Sequence, residues 1–432
     1  MSNWKYEKLS KLCFRIGDGL HGTPEYSESS DVYFINGNNL KNGKIELTEN
    51  TKKVTSEELS KNFIQLDNNS LLLSINGTLG SMAFFKNEKV MLGKSAAYLN
   101  FKTEINKFYF YYFQLPSVQE HFHNVATGST IKNLSLKSIQ DFEVPVPESN
   151  IWKNISKVLS DLDAKIELNN RINAELETMA KTLYDYWFVQ FDFPDTIGKP
   201  YKTSGGKMVW NEELKREIPE GWEVKPISKV IEVKDGTHDS PKPKTIGYPL
   251  ITSKNLKVEG LDFENANLIS EEDYLSVNKR SKVETGDILF SMIGNIGTIY
   301  KVEEKEINFA IKNVALYKTS QKEDYKNFIY MFLKSIDMDR YMRNVISGSI
   351  QKFIGLSSLR NTPFLINETY IEKYEIHTKS IFSQLENLKL ENQELASLRD
   401  WLLPMLMNGQ VSVVEVEEEL GMVAESGEKY GK

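Results

Sequence analysis

Several short clusters in this 432-residue chain carry residue types that could do chemistry. Gly93-Lys94-Ser95 ends like a phosphate-binding loop, but the glycine needed five places before Gly93 is Glu88, so the backbone cradle is missing. His121 and His123 could offer two imidazoles to a metal. They lack acidic or thiolate companions, and an exposed helix face is the simpler expectation. Asp195 with Glu213-Leu214-Lys215 loosely matches the carboxylate and lysine set of magnesium-dependent nucleases. That set falls in 191–217, where no strands are expected to hold carboxylates around an ion. Five histidines, one cysteine and no G-x-S-x-G remove the common nucleophile arrangements.

What remains is polar loop chemistry suited to phosphate and base contact. Asp18-Gly19-Leu20-His21 and Asp235-Gly236-Thr237-His238 read as turns in which Gly and Asp are structural, while His21 and His238 project. Lys41, Lys254 and Lys257 are candidates for the same work. Asn76 and Asn295 lie in Gly-rich loops that permit close backbone approach. Ser129, Thr130 and Lys132, and in a second loop Ser349 and Lys352, supply hydroxyl and ammonium donors.

These clusters come in pairs, and that decides the architecture. Asn39-Leu40-Lys41 returns as Asn255-Leu256-Lys257, Ser74 to Gly80 returns as Ser291 to Gly297, and Gly128-Ser129 with Lys132 returns as Gly348-Ser349 with Lys352. Offsets stay between 216 and 220, the mark of a tandem duplication. Within each copy, short β-branched and aromatic runs punctuated by Gly, Asn and Pro predict a mixed α/β lobe over 1–150 and 218–370. The likeliest helices inside the lobes are 105–125 and 325–346.

Each lobe is followed by a stretch of helical periodicity, 151–190 and 371–410. Leu162, Ile166, Leu176 and Leu183 share one stripe, as do Leu385, Leu388, Leu395 and Leu402. The spacing is heptad-like. Asn173 and Asn392 align at a-type positions, where a buried amide restricts register. Either stripe could simply dock on its own lobe. Duplication favours two equivalent helices packed antiparallel as a coiled coil, with the lobes related by a pseudo-twofold axis. The 33 residues from Ile155 to Trp187 make a rod of about 50 Å. The fold class is therefore α+β, completed by a linker over 191–217 and an acidic tail over 411–432.

The net charge of -7 does not exclude a polyanionic partner, because six Glu and two Lys sit in the last 22 residues. Each lobe is balanced, with sixteen basic and sixteen acidic residues in 1–150 and twenty-one of each in 218–370. Placement of charge, not its sum, sets the field at a surface. One cysteine, no signal-peptide core and only strand-sized apolar runs point to a cytoplasmic chain.

The order lobe, helix, lobe, helix resembles the specificity subunit of type I restriction-modification enzymes. The resemblance is carried by Asp-Gly-x-His-x-Thr-Pro early in the lobe, Ala126-Thr127-Gly128-Ser129-Thr130 late in it and Val144-Pro145-Val146-Pro147 before the helix. Leu183-Tyr184-Asp185-Tyr186-Trp187-Phe188, Phe191-Asp192-Phe193-Pro194 and Ile218-Pro219-Glu220-Gly221-Trp222 add to it. It covers nearly the whole chain and departs at Ile346-Ser347-Gly348-Ser349 and Phe364-Leu365-Ile366. It implies two target recognition domains, each reading half of a split site in double-stranded DNA, and helices that set the gap and dock two modification subunits. It also implies two restriction subunits and no catalysis or cofactor on this chain. S-adenosylmethionine, ATP and Mg2+ would be used by the partners. A stand-alone magnesium-dependent nuclease and a scaffold that does not touch DNA are the alternatives.

Overall fold

A computed structural model of the chain describes residues 4–129, 131–257, 260–348 and 352–411. The chain divides into two compact units. One holds the residues up to Leu168 and resumes at Asn392, and the other is Asn169–Glu391.

In the first unit a four-stranded antiparallel sheet runs in the order Cys13–Asp18, Ala96–Phe101, Ser70–Ser74, Met82–Phe84. Leu71, Leu72 and Leu73 are all fully buried, although a strand shows alternate side chains to opposite faces. Both faces are covered. Leu71 and Leu73 join a core with Phe108, Tyr109, Phe113 and the long-helix residues Trp152, Ile155 and Leu159. Leu72 joins Ile35, Leu40, Val90 and Leu92, which come largely from a smaller sheet ordered Lys53–Val54, Val32–Ile35, Val90–Leu92. That small sheet contains one parallel pair. Lys5–Lys8 pairs with Glu143–Val146, so the strand that opens the lobe lies beside the strand that leads into the long helix.

The second unit repeats the plan of these sheets and adds a hairpin of its own. Its large sheet is ordered Val233–Asp235, Val314–Tyr317, Ile288–Ser291, Ile299–Lys301, and its small sheet Asn267–Ile269, Tyr248–Thr252, Ala310–Lys312 again has one parallel pair. Ile288 and Phe290 face one core and Leu289 another. Glu223–Pro226 pairs with Pro363–Ile366 ahead of the second long helix.

The helices within the lobes differ from the sequence expectation, because each predicted stretch is broken once. The first forms Asn106–Tyr112 and Pro116–Val125, since a residue preceding proline is driven out of the α region and Pro116 suits a first helical turn. The second forms Lys326–Leu333 and Ile336–Val345, restarted by Ser335, whose hydroxyl caps the Met338 amide at 3.3 Å.

The long helices span Ser149–Tyr184, 36 residues, and Glu368–Met407, 40 residues. At 1.5 Å per residue they are about 54 and 60 Å long. Pro404 lies inside the second of these and does not end it. In the first unit Leu162 packs at the core edge and Leu402 is buried with Leu403, Leu406 and Met407, while Asp163 accepts a 2.8 Å bond from Arg399. In the second unit Leu176 and Leu183 pack against the core and Leu385 is buried in it. There Tyr374 donates to the Ala180 carbonyl at 3.0 Å and Asn169 donates to Glu391 at 2.8 Å, so rising numbers on one helix meet falling numbers on the other. Ile166, Leu388 and Leu395 are half-buried. The polar contact expected of Asn173 is made by Asn169, which is fully buried one turn earlier, and the Asn173 side chain is half-buried.

The segment 191–217 is more structured than a tether. Phe191 and Phe193 are buried beside Trp222, and Met208–Asn211 pairs with Arg216–Pro219 as a hairpin. The helix before it ends in a π-helical turn, Asp185–Val189, and Arg216 donates to the Phe188 and Val189 carbonyls there while bonding Asp337 at 2.7 Å. Helix-end carbonyls need such donors. No helix among the described residues is long and apolar enough to cross a membrane.

Candidate nucleic-acid interface

In the first lobe one continuous set of hydrogen bonds gathers five loops. The first is the Asp18–His21 turn, where the large sheet's edge strand stops. A Cβ on Gly19 would lie 2.0 Å from the Leu92 carbonyl, so only glycine lets this turn press against the neighbouring loop. Leu20 donates to the same carbonyl at 2.8 Å. The Asp18 carboxylate lies 2.8 Å from His21 Nε2 and orients a ring whose side chain is 62% exposed. The second loop is Gly93-Lys94-Ser95. Ser95 Oγ donates to Asn36 and accepts from the Gly37 amide, tying in the third loop, and its carbonyl accepts from Ile75, tying in the fourth. Leu134 donates to the Ile75 carbonyl at 2.9 Å, and Thr127 and Asn133 bond each other's backbone, which brings in the fifth. Asn76, Ser129 and Lys132 therefore share one surface with His21.

The second lobe builds a matching cluster with some side chains changed. A Cβ on Gly236 would lie 2.3 Å from the Ile311 carbonyl. His238 lies 2.9 Å from Asp235 and 2.8 Å from Asn313, and Asp235 is also held by Arg280. Ser253 donates to the Asn313 carbonyl, which places the exposed Lys254 beside this turn. Ile354 donates to the Met292 carbonyl at 3.0 Å, and Ser347 and Phe353 close the last loop, next to Asn295 and Lys352. Thr130 and Ser349, named from the sequence, lie outside the described residues, as does the tail beyond Val411.

Lys41 and Lys257 fall outside this pattern. Each belongs to a hairpin that supplies its own carboxylate, Glu46 for Lys41 and Asp262, 3.9 Å away, for Lys257. Lys94 and Lys312 were missed by the sequence reading, which dismissed Gly93-Lys94-Ser95 once its phosphate cradle failed. They are related by an offset of 218, and each stands in its lobe between the histidine turn and the loop bonded by its neighbour, Asn36-Gly37 for Ser95 and Ser253 for Asn313. Matched position across the repeat was the signal available.

The rival catalytic sets do not assemble. The Asp195 carboxylate accepts the Ile197 and Lys199 amides, both at 2.9 Å, and so caps its own loop. Glu213 and Lys215 sit in the turn of the 208–219 hairpin, correcting the expectation that no strands flank them, and Lys215 pairs with Glu212. His121 stacks on Phe142, ring centroids 4.7 Å apart. No three acidic, histidine or cysteine side chains among the described residues converge as a metal site.

Residues 1–178 match the family model of the type I restriction modification DNA specificity domain. The chain is 24% identical over 429 residues to the MjaIX specificity subunit of a type I restriction enzyme from Methanocaldococcus jannaschii, covering 96% of this chain and 95% of that one. It is 23% identical over 479 residues to the HindI specificity subunit from Haemophilus influenzae, covering 95% and 100%. Over nearly its whole length the chain is thus similar to type I restriction-modification specificity subunits, and its first 178 residues match their DNA specificity domain. In fold it is similar to the crystal structure of a type I restriction-modification S subunit from M. genitalium, with a TM-score of 0.50 at 18% identity, covering 94% of this chain and 96% of that one.

Proposed function

We propose that each lobe, 1–150 and 218–370, is a target recognition domain that reads one half of a split duplex site through its loop cluster. The observation that carries this reading is the recurrence of one loop surface on one strand order in both lobes, where the histidines and lysines His21/His238, Lys94/Lys312 and Lys132/Lys352 match while other rim positions, such as Asn76 against Ile293 and Asn38 against Lys254, differ. Two readers with a common frame and different details suit two different half-sites. His21, Asn76, Lys94, Ser129 and Lys132 serve the first half-site, and His238, Lys254, Asn295, Lys312 and Lys352 the second. The lysines contact phosphates and the more variable groups contact base edges.

The long helices act as a pseudo-twofold, antiparallel coiled-coil spacer that sets the unread gap and docks two modification subunits, with two restriction subunits completing the assembly. Half-sites about one helical turn, ~34 Å, apart are within reach of helices of this length. The chain itself is non-catalytic and binds no cofactor. Methyl transfer from S-adenosylmethionine and the ATP- and Mg2+-dependent steps belong to the partners. Methylation mapping of the host genome tests this reading: a gapped motif that disappears when the chain is deleted is expected. A continuous motif, or methylation that persists, would contradict it.

A further inference from the structure

The segment that follows the histidine turn is built oppositely in the two lobes. In the first lobe residues 22–31 carry Glu25, Glu28 and Asp31 and no basic residue. That segment folds down: Tyr26 bridges to Val54, meets Phe34 edge to face, and Ser27 donates to the Lys53 carbonyl. In the second lobe residues 239–247 carry Lys242 and Lys244 against the single Asp239, and present Ile246 with 88% of its surface exposed. No other large apolar side chain among the described residues is so exposed.

This exposure is held in place. Lys244 donates to the Leu268 carbonyl at 2.9 Å, Asp239 donates to Thr237 Oγ1 at 3.1 Å, and Ser240 meets Lys312. Gly247 has φ +157°, and a Cβ there would lie 2.0 Å from the Ile269 carbonyl, so the loop's return is pinned to the small sheet. Pro241 and Pro243 stiffen the outward arm. The loop is continuous with the His238 turn and with Lys312, on the surface already assigned to DNA.

We propose that Ile246 is an apolar base-contacting residue of the second lobe, inserted into a groove of duplex DNA while Lys242 and Lys244 hold the flanking phosphates. Apolar side chains read the thymine methyl or wedge into deformable steps, and either contact depends on sequence, whereas ammonium contacts do not. The proposal rests on the DNA-reading function above and gives the second half-site a contact that the matching segment 22–31 of the first lobe, folded down onto the small sheet, does not offer.

The test uses the full chain assembled with its modification subunits, bound to a duplex bearing the mapped motif and to a scrambled duplex of equal length. Ile246→Ala is expected to weaken binding to the mapped duplex about tenfold and to leave scrambled binding unchanged. Lys242→Ala with Lys244→Ala should weaken both together. An unchanged ratio of affinities in Ile246→Ala, or an equal loss on both duplexes, would overturn the proposal while leaving the reading of the chain intact. A wild-type assembly that cannot tell the duplexes apart would overturn both.

Discussion

Ser70 and Asn100 pair across the large sheet of the first lobe, and Asp287 and Lys318 stand one residue beyond the Ile288–Tyr317 pair at the matching end of the second. The first pair is neutral, a 2.8 Å hydrogen bond from Ser70 to Asn100. The second is ionic: Lys318, 3% exposed, donates to the fully buried Asp287 at 2.5 Å and to Glu284 at 2.8 Å, which holds the Glu284 carboxyl below its usual range. One sheet accommodates either pair. The duplicated frame thus specifies strand order and apolar alternation, while each buried polar pair is free to diverge provided both partners change together. The same rule describes the loop surfaces, where turn glycines, backbone bonds and the matched histidines and lysines recur while other projecting side chains, such as Asn76 against Ile293, do not.

The sharpest way to break this comparison is to change one partner alone. Lys318→Met leaves Asp287 buried with only the Glu284 and Ser320 amides, and should destabilise the second unit by about 3–5 kcal/mol in thermal or denaturant unfolding. Converting the pair to its counterpart, Asp287→Ser with Lys318→Asn, should recover most of the loss. A double variant no better than the single one would mean the rungs are not interchangeable.

A second ionic contact in the second unit joins Arg216 of the 208–219 hairpin to Asp337. Burial pushes the Asp337 carboxyl up, against the opposing pull of Arg216 and Arg340. A carboxyl raised in the folded state binds its proton more tightly folded than unfolded, so it costs stability as pH rises through its folded-state value. Arg216→Ala removes the main counter-charge and raises it further. The variant should lose about 3 kcal/mol near neutral pH, and the deficit should shrink as pH falls and Asp337 becomes neutral. Melting curves across pH check this, and a deficit independent of pH would contradict it.

The neutral pair is worth less. Asn100→Ala strands the Gln65 carbonyl and leaves the Ser70 hydroxyl to its Asp67 contacts, at an expected cost of about 1 kcal/mol. The smallest effects belong to the loop lysines. Lys94→Ala and Lys312→Ala should each lower affinity about threefold on any duplex and shallow the salt dependence by about one unit of slope, with the methylation motif unchanged.

Most of the frame was legible in the sequence because duplication repeats its local signals: the Asp-Gly-x-His turns, the Ser-to-Gly loops and the apolar stripes of the long helices all recur within the narrow range of offsets from 216 to 220. The site was half legible. His21, His238, Asn76 and Asn295 announce themselves by turn chemistry. Lys94 and Lys312 do not, because their placement depends on Ser95 and Asn313 meeting loops some sixty residues away. The Arg216 to Asp337 contact joins residues 121 apart in the chain, and helical periodicity could not choose Asn169 over Asn173 as the buried amide. Such pairings arise from tertiary packing and leave no periodic trace.

The measurement that bears most directly on the account is a methylation map from a host carrying matched insertions of two helical turns, seven residues, after Asn173 and after Asn392. The gap between half-sites should lengthen by about three base pairs, since seven residues add ~10 Å to a helix, and both half-sites should stay as they were. Altered half-sites with an unchanged gap would contradict it.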